Sequence, residues 1–148
     1  MANRLSSDTL EAQFGPVTIA ILSQTDQHRI IATRMVATGQ VLEYTEVSFD
    51  PAGIAAYPQV HQQIRAGTMM GKAFRAAGVD FVRETRSTDR QATLTPEQAK
   101  LFGVTATSLG TQVKLDVFVG PHHTHYAHLI ELYSPVVTWP DMLSTASQ

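Results

Sequence analysis

The fold class that the sequence predicts is α+β, with an antiparallel sheet and short helices on one face. Three observations predict it. Of the 148 residues, 43% are hydrophobic and 16% are charged, which supplies the core of a single domain spanning residues 1–148. Extended segments occur in both halves of the chain. Short helical segments that end at glycines lie between them, and only residues 138–148 are expected to attach loosely.

The composition excludes several classes of function. The formal net charge is −2 and basic residues do not cluster, so we expect no nucleic-acid partner. The absence of cysteine removes disulfides, thiolate nucleophiles and cysteine-ligated zinc. No apolar stretch approaches the length of a membrane span, so we expect no membrane partner and a cytoplasmic location.

The first part of the chain predicts one helix followed by three strands. These segments are residues 8–14, 16–23, 29–37 and 41–49. The helix opens at Asp8, an N-cap type of residue, and stops at Gly15. The β-branched run V-T-I-A-I-L marks the first strand. The connection Thr38-Gly39-Gln40 predicts that the other two strands pair as an antiparallel hairpin.

Two short helices are predicted in the middle of the chain, after a turn at residues 50–53. Val60 and Ile64 have helical spacing and precede a glycine. Met70, Phe74 and Ala77 then repeat on one helical face, and another glycine follows them. Both helices are expected to cover the same face of the sheet.

A polar strand is predicted at residues 81–91. It carries a dense set of alternating charges, namely Arg83, Glu84, Arg86, Asp89 and Arg90. Such a pattern is typical of a solvated face with pairing between strands, and it indicates no catalytic role.

The last part of the chain predicts a helix and a second hairpin. In T-P-E-Q-A-K-L-F-G, Thr95 and Gln98 form a capping box, Pro96 occupies the first turn and Gly103 ends the helix. Strands at residues 113–119 and 126–133 flank G-P-H-H and close the sheet.

Glu131 is the first candidate for chemistry. It shares a strand face with Ala127 and Leu129, so the pattern places a carboxylate among apolar neighbours. A buried carboxylate is retained when it is paired, binds a ligand or acts in proton transfer. The alternative is an edge-strand glutamate that points to solvent.

Arg29 and Arg34 are the candidates for binding an anion. Both lie in the second strand among aliphatic residues, and an arginine fork within a sheet suits bidentate recognition of a carboxylate. The alternative, for at least one of them, is a surface arginine whose stem lies on the sheet.

Two further motifs have weaker meaning. The segment T-M-M-G-K brings Met70 and Gly71 to a helix start, where backbone amides can receive an anion. His123 and His125 lie on one side of an extended chain, which would allow a divalent metal, but an exposed hairpin tip is the favoured interpretation. We therefore predict no metal site.

Taken together, five segments resemble the chorismate pyruvate-lyase family and its ligand-binding relative, the UTRA domain of bacterial transcription regulators. They are S-S-D-T-L-E-A-Q-F-G, G-Q-V-L-E-Y-T-E-V with the arginine strand before it, T-M-M-G-K-A-F-R, V-R-E and L-I-E-L-Y-S-P. The resemblance covers about residues 6–135, and the last segment is its most specific part.

The resemblance implies a small-molecule pocket enclosed by the sheet, in a chorismate lyase-like fold. Glu131 matches the family's carboxylate that faces the ligand hydroxyl, and Arg34 or Arg29 matches the arginine that holds the ring carboxylate. Arg34 is assigned with Glu131 to catalysis, and Arg29 to substrate binding. Backbone amides near Met70, Gly71 and Ser6 match the remaining carboxylate contacts.

The implied reaction is elimination of pyruvate from chorismate to give 4-hydroxybenzoate, without a metal or organic cofactor. The partner is a small carboxylate substrate, and the protein is expected to be a monomer or a homodimer. Two alternatives remain, since fold alone does not decide function. One is a UTRA-like module that binds a small acid or aromatic metabolite, and the other is an enzyme of the same fold with another biosynthetic substrate.

Overall fold

A computed structural model describes residues 6–137, with side chains from residue 8 onward, and in this part it has six strands and five helices. The strands are β1 (Val17–Gln24), β2 (His28–Met35), β3 (Val41–Phe49), β4 (Phe81–Thr93), β5 (Leu109–Val119) and β6 (Thr124–Tyr133). The helices are α1 (Ser6–Phe14), α2 (Pro51–Ala56), α3 (Pro58–Arg65), α4 (Met70–Ala76) and α5 (Pro96–Phe102). The predicted tail at 138–148 lies outside the described residues.

The strands form one antiparallel sheet in the order β1-β2-β3-β6-β5-β4. The sheet consists of two meanders, β1-β2-β3 and β4-β5-β6, each built from strands that follow one another in the chain. The meanders join where β3 pairs with β6, with Thr45 opposite Glu131 and Val47 opposite Leu129. We call this junction the seam. It brings side chains from distant parts of the sequence together.

Helices α2, α3 and α4 cover one face of the sheet. Their apolar side chains pack on residues of β3, β5 and β6, and this cluster includes Val47, Ile64, Phe74, Leu115 and Tyr126. Helix α2 lies so close to β6 that a Cβ on Gly53 would be 2.5 Å from the Cα of Tyr126. The contact requires glycine, because real Cβ atoms do not approach a backbone atom so closely.

Helix α5 covers the opposite face. Its Ala99 and Phe102 pack with Ala32, Tyr44 and Leu132, which alternate with the residues that face α2–α4. The predicted capping box is present, since the Thr95 hydroxyl accepts from the Gln98 backbone N–H and the Gln98 side chain accepts from the Thr95 N–H. The predicted α+β class with an antiparallel sheet is confirmed, with the refinement that this one helix lies on the other face.

The main local difference from the sequence-based expectation is α2. The sequence predicts a turn at residues 50–53, but Asp50 is the N-cap of a helix, and its carboxylate accepts from the N–H of Ala52. Proline in the first helical turn and an aspartate before it are helix-start signals as well as turn signals, so composition alone does not separate the two.

Within residues 6–137, none of the helices has both the length and the hydropathy needed to span a membrane.

Candidate functional site

A pocket opens on the face of the sheet that α2–α4 cover, beside α1 and the start of α4. The space in and around it, including open solvent at its mouth, is about 620 Å³. Four parts of the chain line the pocket. The helical side contributes Leu10, Met69, Met70 and Gly71, and strands β1 and β2 contribute Ile19, Arg29, Ile31 and Thr33. Strand β3 contributes Glu43, Thr45 and Val47, and strands β4 and β6 contribute Phe81, Arg83, Leu129 and Glu131.

The alternation of strands explains why these side chains meet. On every strand that supplies two or more of them, the lining residues are two apart, so they point to the same face. The pairing register then sets polar groups beside one another: Thr33 lies opposite Glu43, and Thr45 lies opposite Glu131. The sheet therefore contributes neighbouring polar side chains to the pocket, together with apolar side chains from the same strands.

Glu131 is buried, with 2% of its surface exposed, and its charge is compensated. Its Oε1 accepts from Arg83 Nη2 at 2.8 Å and from the Tyr133 hydroxyl at 2.6 Å. Burial works against the charge of Arg83, but the adjoining Glu131 carboxylate outweighs it and raises the pKa of the guanidinium. The result is an ion pair on the pocket wall, held in place by a tyrosine.

Glu43 is the second buried carboxyl group of the pocket, with 5% exposure. Its Oε1 accepts from the Thr45 hydroxyl at 2.8 Å, whereas Oε2 is buried and has no hydrogen-bond partner among the described residues. Burial, and after it the nearby charge of Glu131, raises the pKa of Glu43 to about 8. The raised pKa therefore favours the protonated, neutral form of Glu43 at neutral pH.

Arg29 is the most deeply buried charged residue of the pocket, with 1% exposure. Its Nη1 donates to the carbonyl of Ile64 in α3 at 2.7 Å, and its guanidinium lies 5.7 Å from the centre of the Phe49 ring. Its Nε is buried and lacks a partner, and within the described part of the chain Arg29 forms no ion pair with a carboxylate. Burial lowers the pKa of this guanidinium.

The structure does not bring Arg34 to this site. Arg34 does not line the pocket, and it alternates with Thr33, so it lies on the face that carries Ala32 and α5. A register shift in the β2–β3 pairing follows Thr33, but it does not turn Arg34 into the pocket. Of the two predicted arginines, the structure therefore places Arg29 in the pocket and Arg34 outside it, and the second arginine of the lining is Arg83.

The other predicted binding residues lie at or near the pocket. Met70 and Gly71 line its helical wall, at the start of α4. Because α4 has only seven residues, its dipole is weak, and we assign these two residues to the shape of the wall. Ser6 is the first residue of α1, the helix that contributes Leu10, but its side chain lies outside the described ones.

Two residues of the pocket, Glu43 and Arg83, are not identified as site residues by the sequence patterns. The charged strand from Arg83 to Arg90 was interpreted as a solvated face, which fits the exposed Arg86, Asp89 and Arg90 but not Arg83. Arg83 shares its face with Phe81, and both line the pocket. The useful signal was this alternation at the start of the strand, where an arginine follows an aromatic residue by two positions.

The histidine tract forms a network of charged side chains on the other face of the second meander. His125 bridges two carboxylates, with Nδ1 at 2.7 Å from Asp50 Oδ2 and Nε2 at 2.9 Å from Asp116 Oδ1. Burial opposes a charge on His125, but the two carboxylates prevail and raise its pKa. His123 stacks on Phe118 and pairs with Glu84. In the region that the structure covers, no three histidine, aspartate or glutamate side chains are arranged to hold a metal ion.

Comparisons with known proteins show similarity at the level of fold. No protein family model matches the chain, and no curated protein matches it.

Solved structures do match. The effector domain of PhnF from Mycobacterium smegmatis superposes with a TM-score of 0.63 at 12% identity, covering 87% of each chain. Full PhnF gives a TM-score of 0.61 at 13% identity over 89% of this chain, and the possible transcriptional regulator YydK from Bacillus subtilis gives 0.57 at 15% over 92%. The chain spans 64% of PhnF and 66% of YydK. The predicted UTRA-like α+β fold is thereby confirmed, whereas no comparison supports the chorismate pyruvate-lyase family itself.

Proposed function

We propose that this chain is an effector-binding domain that takes a small organic anion, such as a carboxylate, in the pocket described above. The observation that carries the proposal is Arg29, a buried guanidinium without an anionic partner in the described residues. Fold similarity to regulator effector domains agrees with a binding role.

The energetic argument concerns the cost of an unpaired buried charge. Removing a guanidinium from water costs several kcal/mol unless an anion or a full set of hydrogen bonds replaces the water. Arg29 has one strong hydrogen bond, to the Ile64 carbonyl, and an unused Nε donor. A ligand carboxylate would supply both the missing acceptor and the missing charge.

The rest of the lining fits the body of such a ligand. Ile19, Ile31, Val47 and Leu129 provide an apolar surface, while Thr33 and Thr45 add hydroxyl groups at fixed points. Small-molecule pockets combine a mostly apolar wall with a few polar groups that set orientation. The Arg83–Glu131 pair is already neutral as a unit, so its proposed role is to hydrogen-bond a polar substituent.

A matched pair of variants tests the anion proposal. Isothermal titration of a panel of small carboxylic acids against Arg29→Gln should show at least a tenfold loss of affinity for every acid that binds the parent protein. Arg34→Gln is the control, because Arg34 lies on the same strand but on the opposite face. Equal binding by parent and Arg29→Gln would contradict the proposal.

The chorismate lyase reaction is the second candidate, and one observation favours it: Glu131 lies in a pocket that also holds two arginines. The test is incubation of the purified protein with chorismate, followed by chromatography for 4-hydroxybenzoate and pyruvate. Equimolar products that disappear with Glu131→Gln would establish the enzyme and replace the binding proposal. Binding of 4-hydroxybenzoate without turnover would support the effector domain.

A further inference from the structure

The second unsatisfied group of the pocket points to the other end of the ligand. We propose that the ligand is dipolar, and that Glu43 receives an ammonium group on the ligand while Arg29 holds its anionic group. This inference rests on the proposed function, because it places the amine relative to an acid bound at Arg29.

The geometry separates the two poles. Arg29 pairs with Val47, and Glu43 pairs with Thr33, so the two residues lie on adjacent strands four positions apart. At about 3.3 Å per residue, their Cα atoms are separated by roughly 13 Å along the strands. Both side chains face the pocket, and each has one buried polar atom without a partner among the described residues. The pocket can therefore bind a single extended ligand at both ends, with Arg29 at one end and Glu43 at the other.

The charges around Glu43 favour a cation. Glu131 lies diagonally across the seam from Glu43, so two carboxyl groups share this part of the pocket. Arg83 donates to Glu131 at 2.8 Å, and the Thr45 hydroxyl donates to Glu43. Tyr133 lies opposite Glu43 in the β3–β6 pairing, and its hydroxyl also acts on this carboxyl group. If Glu43 ionises, it adds a second negative charge for which the described residues provide no second ion pair. A ligand ammonium, with three N–H donors, would supply that charge and bind Oε2.

Binding then involves a proton. The raised pKa of Glu43 favours its protonated form at neutral pH. An arriving ammonium converts the neutral acid to a carboxylate paired with the ammonium, and the acid proton leaves to solvent. Ligand affinity should therefore increase as the pH rises from 6 toward 8, with release of up to one proton. A ligand that instead accepts a hydrogen bond from neutral Glu43 would show the opposite trend.

Calorimetry with matched probes distinguishes these cases. The probes are 5-aminopentanoate, 6-aminohexanoate and 8-aminooctanoate, each compared with the straight-chain acid that lacks the amine. Titrations in phosphate and in Tris, whose ionisation enthalpies differ, report the number of protons released. We expect at least one amino acid to bind tenfold more tightly than its matched acid, with proton release.

Two variants complete the test. Glu43→Gln should remove the preference for the amine and the proton release, while binding of the plain acids persists. Glu46→Gln is the control, because it alters a glutamate on the other face of the same strand. Equal affinity for amino acids and plain acids in the parent protein would overturn the dipolar ligand and leave the anion site intact. Failure of both series to bind would count against the organic-anion proposal itself.

Discussion

At the scale of single residues, the pocket combines one satisfied ion pair with two groups that lack a partner atom in the described structure. Arg83 and Glu131 compensate each other, while Arg29 Nε and Glu43 Oε2 are buried and unused. Such atoms cost free energy in the unliganded protein. They are tolerated where a site is prepared for a ligand, so we expect ligand binding to raise the free energy of unfolding of the protein.

Glu43 gives this expectation a pH dependence. Its pKa is raised from 4.5 to about 8 in the folded protein. The folded state therefore keeps a proton that the unfolded state loses, and stability falls as the pH rises from 4.5 through 8. The loss is on the order of a few kcal/mol. Thermal unfolding should show that Glu43→Gln raises the melting temperature much more at pH 8.5 than at pH 5, and an equal effect at both values would contradict this.

The Arg83–Glu131 pair allows a double-mutant cycle. Arg83→Met leaves the Glu131 carboxylate buried, with the Tyr133 hydroxyl still donating to it, and we expect the free energy of unfolding to fall by about 3–5 kcal/mol. The double variant Arg83→Met with Glu131→Gln should lose less than the single variant, because no unpaired charge remains. Urea unfolding measures both values. A double variant less stable than Arg83→Met would show that the pair contributes mainly by packing.

Residue patterns predicted part of the site. Alternation with Ala127 and Leu129 identified Glu131 as a buried carboxylate, and the structure places it in the pocket. Glu43 was not singled out, and Arg83 was lost within a charged strand. Alternation assigns a face to each residue, but it does not say which face of a two-sided sheet holds the pocket. For the same reason the sequence does not separate Arg29, which lines the pocket, from Arg34, which does not.

At the scale of elements, α2 is fixed to the sheet by the absence of a side chain. Gly53→Ala would place a Cβ 2.5 Å from the Tyr126 Cα and 2.7 Å from the His125 carbonyl oxygen, so α2 must move away from β6. Overpacking of this kind costs about 1–3 kcal/mol. Chemical denaturation should show this loss, while the control Ala52→Gly, at an exposed position of the same helix, should cost no more than about 1 kcal/mol.

A helix or hairpin is predictable from sequence where residues typical of a cap or a turn mark its ends. The capping box and the terminal glycine gave α5 its position, and the glycine-containing connection gave the hairpin of β2 and β3. Helix α2 was missed because Asp-Pro-Ala-Gly is compatible with a turn and with a helix start. Its packing against β6, which decides between them, is a contact between residues far apart in sequence.

At the scale of the whole molecule, ligand binding should stabilise the two sides of the sheet unequally. Helix α1 and the start of α4 contribute Leu10, Met69 and Met70 to the pocket, whereas α5 lies on the opposite face. Hydrogen exchange with and without a bound acid should show increased protection in α1 and α4 and little change in α5. Protection confined to α5 would place the binding site elsewhere.

The seam between the meanders has a consequence for how the protein folds. Each meander forms from neighbouring segments, whereas pairing β3 with β6 requires closure of the loop formed by residues 50–123. Arg29 and Glu43 belong to the first meander, and Arg83 and Glu131 belong to the second. The pocket is therefore complete only once the two halves have docked, which we expect to be a late step of folding. Because a ligand has no complete site to bind before that step, we expect it to slow unfolding and to leave the folding rate unchanged.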